Sequence, residues 1–220
     1  MDKKNNHGGN RSGGSAPHKG GARRPGSGGP GRPAEPLSMA PGQAVRMAAA
    51  AAISGILASG RTVDERMAAE TGAGASAGLE PRDAALMRSI VVVALRRLGT
   101  IRLALDRFME QRPPRKAQAL EGILIAGVAQ ILFLEAPDHS AVDLAVRAAK
   151  HESATAPFAN LVNAVLRNVI RHREELLAVA DPFADTPSWL AARWTVNWGR
   201  EAAEKIALAH RQEPTFDITV

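Results

Sequence analysis

A bundle of α-helices is the fold class that this 220-residue sequence predicts, and three observations carry that expectation. Apolar residues make up 45% of the chain, but aromatics are only 4% and alanine dominates, a composition that suits close-packed helices better than a β-sandwich. The stretch PFANLVNAVLRNVIRHR, Pro157 to Arg173, separates cleanly at the helical period: Leu161, Val162, Val165, Leu166, Val169 and Ile170 fall on one side, and Asn160, Asn163, Arg167, Asn168 and Arg171 on the others. The run ILIAGVAQILFL, Ile123 to Leu134, is apolar all round, as befits a helix in the middle of a bundle. About seven helices are expected.

Composition also excludes several classes. The chain has no cysteine, so it has no disulfide framework, thiolate metal site or cysteine nucleophile, which fits a cytoplasmic protein. No apolar run reaches the length of a membrane span, and the N-terminus lacks a secretory apolar core. Residues 1–36 hold seven of the 28 Lys and Arg and two of the 22 acids, which leaves 37–220 nearly neutral. A nucleic-acid site in the folded part must therefore rest on local clustering of cations.

Residues 1–36, with ten Gly and five Pro, cannot bury enough surface to offset their ordering entropy and read as a disordered basic tail. Arg23 and Arg24 within it fit either a sequence-independent attraction to RNA or a solubilising extension. A first helix starts near Pro41 and stops at Gly60, with Val45, Ala49, Ala52, Ile53, Ile56 and Leu57 as its apolar stripe and Arg46 just off it. Thr62 with Glu65 reads as a capping box for a second helix ending near Glu70. TGAGASAG, 71–78, is a loop of small residues without the spacing of a phosphate cradle. Pro81 starts a helical run with Leu86, Ile90, Val93 and Ala94 as its stripe. A break at Gly99 gathers Arg96, Arg97 and Arg102, either as a backbone-binding patch or as ordinary exposed helix-end arginines.

Pro113 and Pro114 end that pair, and a helix from Arg115 to Leu134 follows, in which Gln130 is expected as a hydrogen-bonded buried amide. Ser140 with Asp143 is expected to cap the next helix, SAVDLAVRAAK. The amphipathic helix that opens at Pro157 is expected to run to about residue 180. Its polar side offers donors and no carboxylate before Glu174, which suits an anionic partner, although Arg171, His172 and Arg173 also suit the helix dipole. After Asp181 and Pro182 two more helices are expected, separated at Gly199, with Leu190, Trp194 and Trp198 packing along one face. FDITV, 216–220, reads as the first strand of a second domain, so the chain is expected to be a fragment.

NAVLRN, Asn163 to Asn168, resembles the VNAVLR signature helix of the NusB-like family, the all-helical RNA-binding fold of the antitermination factor NusB, which also forms the N-terminal domain of RsmB-type (Sun or Fmu) ribosomal RNA cytosine-C5 methyltransferases. The central helix is similar to that family's LLRLGAYQLLFL, with Gly127 and Gln130 at the family spacing. Ala141 to Lys150 resembles AAVNEAVELAK, with Asp143 in place of the usual Asn. The order of elements matches over about 41–180. The Trp-rich segment after 181 resembles the HPxWLVxRW…G linker through which RsmB-type enzymes pass into their methyltransferase half.

The resemblance implies an all-α, NusB-like orthogonal bundle over 37–180, preceded by the tail 1–36 and followed by a helical linker, 181–220, into a truncated methyltransferase region. It implies RNA, small-subunit rRNA first, as partner, together with the missing methyltransferase domain, and no membrane or metal. The enzyme's cysteine pair and S-adenosylmethionine fold have no counterpart here, so no catalytic or cofactor residue is assigned and the cofactor belongs to the missing domain. Candidate RNA contacts are Arg46, Arg96, Arg97, Arg102, Asn163, Arg167 and Arg171. Asn163 has two readings, a tie from its helix to a neighbouring loop or an amide presented to RNA. The alternative function is a NusB-like antitermination factor that binds RNA with a ribosomal protein; the Trp-rich extension favours the enzyme.

Overall fold

The computed structural model describes residues 39–72, 79–111, 113–114, 117–134, 136–178 and 181–214. The expectations for the tail 1–36, most of the small-residue loop and the strand 216–220 lie outside the described residues. Among the described residues there are nine α-helices and no strand, two helices more than expected. They are α1 (Gln43–Ser59), α2 (Val63–Gly72), α3 (Pro81–Arg96), α4 (Leu98–Phe108), α5 (Gln118–Phe133), α6 (Asp138–His151), α7 (Ala159–Arg171), α8 (Arg173–Ala178) and α9 (Ser188–His210), with a 3₁₀ turn at Ala156–Phe158.

The all-apolar α5 is the axis of the core. It is buried from Leu120 to Leu132 apart from Glu121, and packs against α1, α3, α4, α6 and α7. Small residues set the closest crossing, because a Cβ on Gly122 would overlap the Ala50 carbonyl and the Ser54 hydroxyl of α1. Gly127 does the same for α7, where a Cβ would press on the methyls of Leu166. Gln130 is buried as expected, donating to Ala126 O at 2.9 Å.

Several local expectations hold. Gly60 ends α1 in a left-handed conformation, φ 64°. Thr62 and Glu65 form the reciprocal capping box, at 3.1 and 3.3 Å. Others are corrected. Helix α1 begins two residues after Pro41, because Gly42 is left-handed. The buried stripe of α3 is Met87, Ile90, Val91 and Ala94, with Leu86 and Val93 only half-buried. The α3–α4 break falls at Arg97 (φ −110°, ψ 20°), two residues before the glycine. Gly99 serves a different need: a Cβ there would overlap the carbonyl oxygen of Ala184.

Helix α6 starts at Asp138, so Ser140 caps nothing, and Asp143 instead accepts from Arg147 at 2.8 Å. The long helix expected over 157–180 is three pieces, the second break falling at His172. There the chain turns so that His172 lies against the Phe108 ring and Arg173 bonds Asp138.

Residues 181–214 build a second, smaller apolar cluster: Trp194, Ala203 and Ala207 with Phe183, Leu190 and Ile206. Helix α9 folds back on itself at Gly199 (φ 78°, ψ 162°), where two helices were expected, and this brings His210 beside Trp194. Trp198 is a correction. It precedes the bend and is 57% exposed, as are Trp189 and Val196 beyond half. No described helix is long and apolar enough to cross a membrane.

Candidate nucleic-acid interface

Helix α7 turns Ala159, Val162, Val165, Leu166 and Val169 into the core, which fixes the azimuth of everything else on it. Arg167 and Arg171, one turn apart, are thereby exposed. Arg167 Nε donates to Asn163 Oδ1 at 3.0 Å, and Arg171 Nη1 to Asn168 Oδ1 at 2.8 Å. Among the described residues neither guanidinium has a carboxylate partner. An amide steadies one N–H of the five on each arginine without touching its charge, so both cations remain uncompensated and presented outward.

Among the described residues Asn163 makes no bond to a loop and instead holds Arg167. With Arg167 it lines a groove of about 390 Å³ between α6 and α7. The acids of that groove are engaged elsewhere, Asp138 with Arg173 and Asp143 with Arg147.

The other candidates sit in different surroundings. Arg46 points into the bundle, with Nε donating to Gln130 Oε1 at 3.0 Å and Nη1 to Gly42 O at 3.1 Å. Burial lowers its pKa, an effect that Asp83 partly offsets. Arg102 lies 3.4 Å from Glu121. Arg97 is 15% exposed, stacks at 4.5 Å over the Phe133 ring and lies 3.5 Å from Asp185 Oδ2. Its pKa is lowered first by burial; Asp185 raises it and Arg211 lowers it further. Arg96 has no acidic partner among the described residues. The three arginines of the α3–α4 junction do not share one patch: Arg96 and Arg97 line a wide groove along α3, while Arg102 lines two smaller cavities.

Asp185 and Arg211 were missed in the sequence. Asp185, 3% exposed, accepts from the Thr100 backbone N–H at 2.7 Å and from its hydroxyl at 2.8 Å, which caps the N-terminus of α4. Arg211 Nε lies 2.9 Å from the same carboxylate, and Arg211 also donates to Asp181 O. No spacing rule could connect Thr100 with Asp185, 85 residues apart. The one local signal was a lone acid in the tight turn PFADTP.

A family model described as the NusB family matches residues 43–171. The chain is also similar to proteins named ribosomal RNA small subunit methyltransferase B. With that of Xanthomonas campestris pv. campestris it is 36% identical over 170 residues, 77% of this chain and 37% of the relative. With that of Xylella fastidiosa it is 34% identical over 126 residues, 55% and 27% respectively. With that of Escherichia coli it is 28% identical over 142 residues, 63% and 33% respectively. The chain therefore matches about a third of the length of these relatives.

Proposed function

Since the chain belongs to the NusB family, we propose that it is the RNA-docking region of an S-adenosylmethionine-dependent rRNA cytosine-C5 methyltransferase, acting in the cytoplasm on small-subunit rRNA. The observation that carries the reading is the outer face of α7, where Arg167 and Arg171 rest on asparagine amides and pair with no acid among the described residues. A methyltransferase is favoured over an antitermination factor because the similarity to the Xanthomonas enzyme runs over 170 residues, more than the family segment 43–171 can hold. The Trp-rich helix α9 lies beyond that segment, and its exposed Trp189 and Val196 offer an apolar face to the remainder of such an enzyme.

Within this reading the chain's own residues bind and orient. Arg167 and Arg171 hold successive phosphates, Asn163 and Asn168 limit the rotamers the guanidiniums must give up on binding, and the packed face of α7 fixes their spacing. Arg46 is turned inward to Gln130, and Arg102 pairs with Glu121. With no cysteine in the chain, the thiolate for such chemistry comes from elsewhere in the protein. The described residues contain no strand and no glycine-rich strand-to-helix turn, so they offer no seat for S-adenosylmethionine, and no step here passes through it.

The test is titration of a labelled small-subunit rRNA hairpin with the chain at two salt concentrations. Replacing Arg167 and Arg171 together with Ala should lower affinity about tenfold and make the salt slope shallower by about 1.4, while the melting temperature stays put. Unchanged affinity in a folded double variant would remove α7 from the binding surface.

A further inference from the structure

Beside α3 runs a groove of about 840 Å³, closed on its other sides by the end of α5, by Leu177 of α8 and by Arg211 to Pro214 at the end of the extension. Its floor is apolar, with one ring, Phe133, that lies under Arg97, and its rim carries four arginines: Arg88, Arg96, Arg97 and Arg211. Arg88 pairs with Asp64 at 3.1 Å. Arg97 and Arg211 divide a single carboxylate, that of Asp185, whose two oxygens already accept from Thr100. Neither arginine's Nε–H is aimed for a hydrogen bond to it, although both Nε atoms are buried. Arg96 has no acidic partner among the described residues, and Glu213 is the one carboxylate among the residues that line the groove. Two guanidiniums held on one carboxylate leave a positive charge in a wall that is largely withdrawn from water. Such a charge is costly to keep without an anion, and it gains most from binding one.

We propose that this groove is a second anion site, in which Arg96, backed by Arg97 and Arg211, receives a phosphodiester of the RNA whose docking α7 begins. The inference rests on the RNA-docking reading and adds to it a site made jointly by the bundle and the extension. Guanidinium chemistry suits it, since planar N–H forks match phosphate oxygens. Geometry suits it too: Arg88 and Arg96 lie on one face of α3, eight residues and about 12 Å apart, so the rim follows a strand laid along the helix. The one ring of the lining, Phe133, already carries the Arg97 guanidinium, which leaves no free stacking platform, so the site holds backbone and does not read bases. Asp185 is a positioning residue here: it does not meet the anion but holds two of the cations that do.

The experiment uses the full chain and a labelled single-stranded RNA, with inorganic pyrophosphate as a second probe. Arg96→Ala should weaken RNA binding about threefold and Arg96→Glu about tenfold, each with a shallower salt slope, because one phosphate contact is lost. Arg96→Lys should retain most of the affinity. The side-chain Nε–H resonances of Arg96, Arg97 and Arg211 should shift on adding pyrophosphate, a signature that a merely structural arginine would not give. Wild-type affinity in a folded Arg96→Glu chain overturns the proposal, as does pyrophosphate that moves none of the three resonances. If Arg167→Ala with Arg171→Ala still weakens binding, only the groove has failed. If that pair is silent as well, the RNA-docking reading has failed with it.

Discussion

Arg46 and Arg167 are the same side chain in opposite circumstances, and the difference decides what each can do. Arg46 is spent on Gln130, the buried amide of α5, and on its own helix at Gly42. Arg167 bonds the Asn163 amide and pairs with no acid among the described residues. Replacing Gln130 with Leu should therefore strand the Arg46 guanidinium beside an apolar wall and destabilise the bundle by about 1–3 kcal/mol, read as a lower midpoint in urea. RNA affinity at a temperature where the variant is folded should not change. A midpoint equal to wild type would mean that water satisfies Arg46 as well as the amide does. Sequence periodicity placed both arginines near a polar face, because a helical wheel resolves azimuth but not whether the neighbouring helix offers an acceptor. Gln130 was legible as a bonded buried amide; its partner, 84 residues away, was not.

At the scale of elements, helical period and stop signals located the helices, and the errors fell where a neighbour reshaped a terminus. The family's signature helix was drawn continuous to residue 180, since nothing from Arg171 to Ala178 breaks a helix by propensity. It ends early because His172 lies against Phe108 and the next turn is tied to α4. Helix α8 has no buried residue of its own, and its Glu175 takes Arg107 at 2.5 Å and His172 at 3.4 Å. The hydrogen bond from Arg107, then that from His172, holds the Glu175 carboxyl below its ordinary value. A folded-state pKa below the unfolded one gives a contribution that is complete above about pH 4.3 and is lost as pH falls through the depressed folded value. Amide exchange in α8 should thus open more readily as pH falls below about 4. Glu175→Gln should open α8 already at neutral pH and remove that pH dependence. If the variant keeps wild-type protection, α8 is held by packing alone.

For the whole molecule, the notable feature is that two apolar clusters, one in the bundle and one in 181–214, meet through a polar clasp. The composition of the Trp-rich segment made its helices and the bend at Gly199 legible. It did not show how the segment is attached, because that depends on one buried acid and on a glycine whose purpose is close approach. Asp185 caps α4, draws in Arg97 and Arg211, and lies next to Ala184, whose carbonyl occupies the space that Gly99 leaves empty. Removing the acid leaves two largely buried guanidiniums facing each other and uncaps a helix. Asp185→Ala should therefore cost about 3–5 kcal/mol, more than the loss of a surface pair, which is below about 1 kcal/mol. The loss should be uneven. Amides of α9 should exchange faster and proteases should cut near 181–187, while α5, whose contacts lie within the bundle, keeps most of its protection as long as the variant is folded. Gly99→Ala, which leaves every charge in place but presses a methyl against Ala184, should reproduce the same pattern at about 1–3 kcal/mol. Should both variants instead melt bundle and extension together, with no selective exposure of α9, the clasp would be part of a single cooperative core, and the extension could not be released without unfolding the helix that carries Arg167 and Arg171.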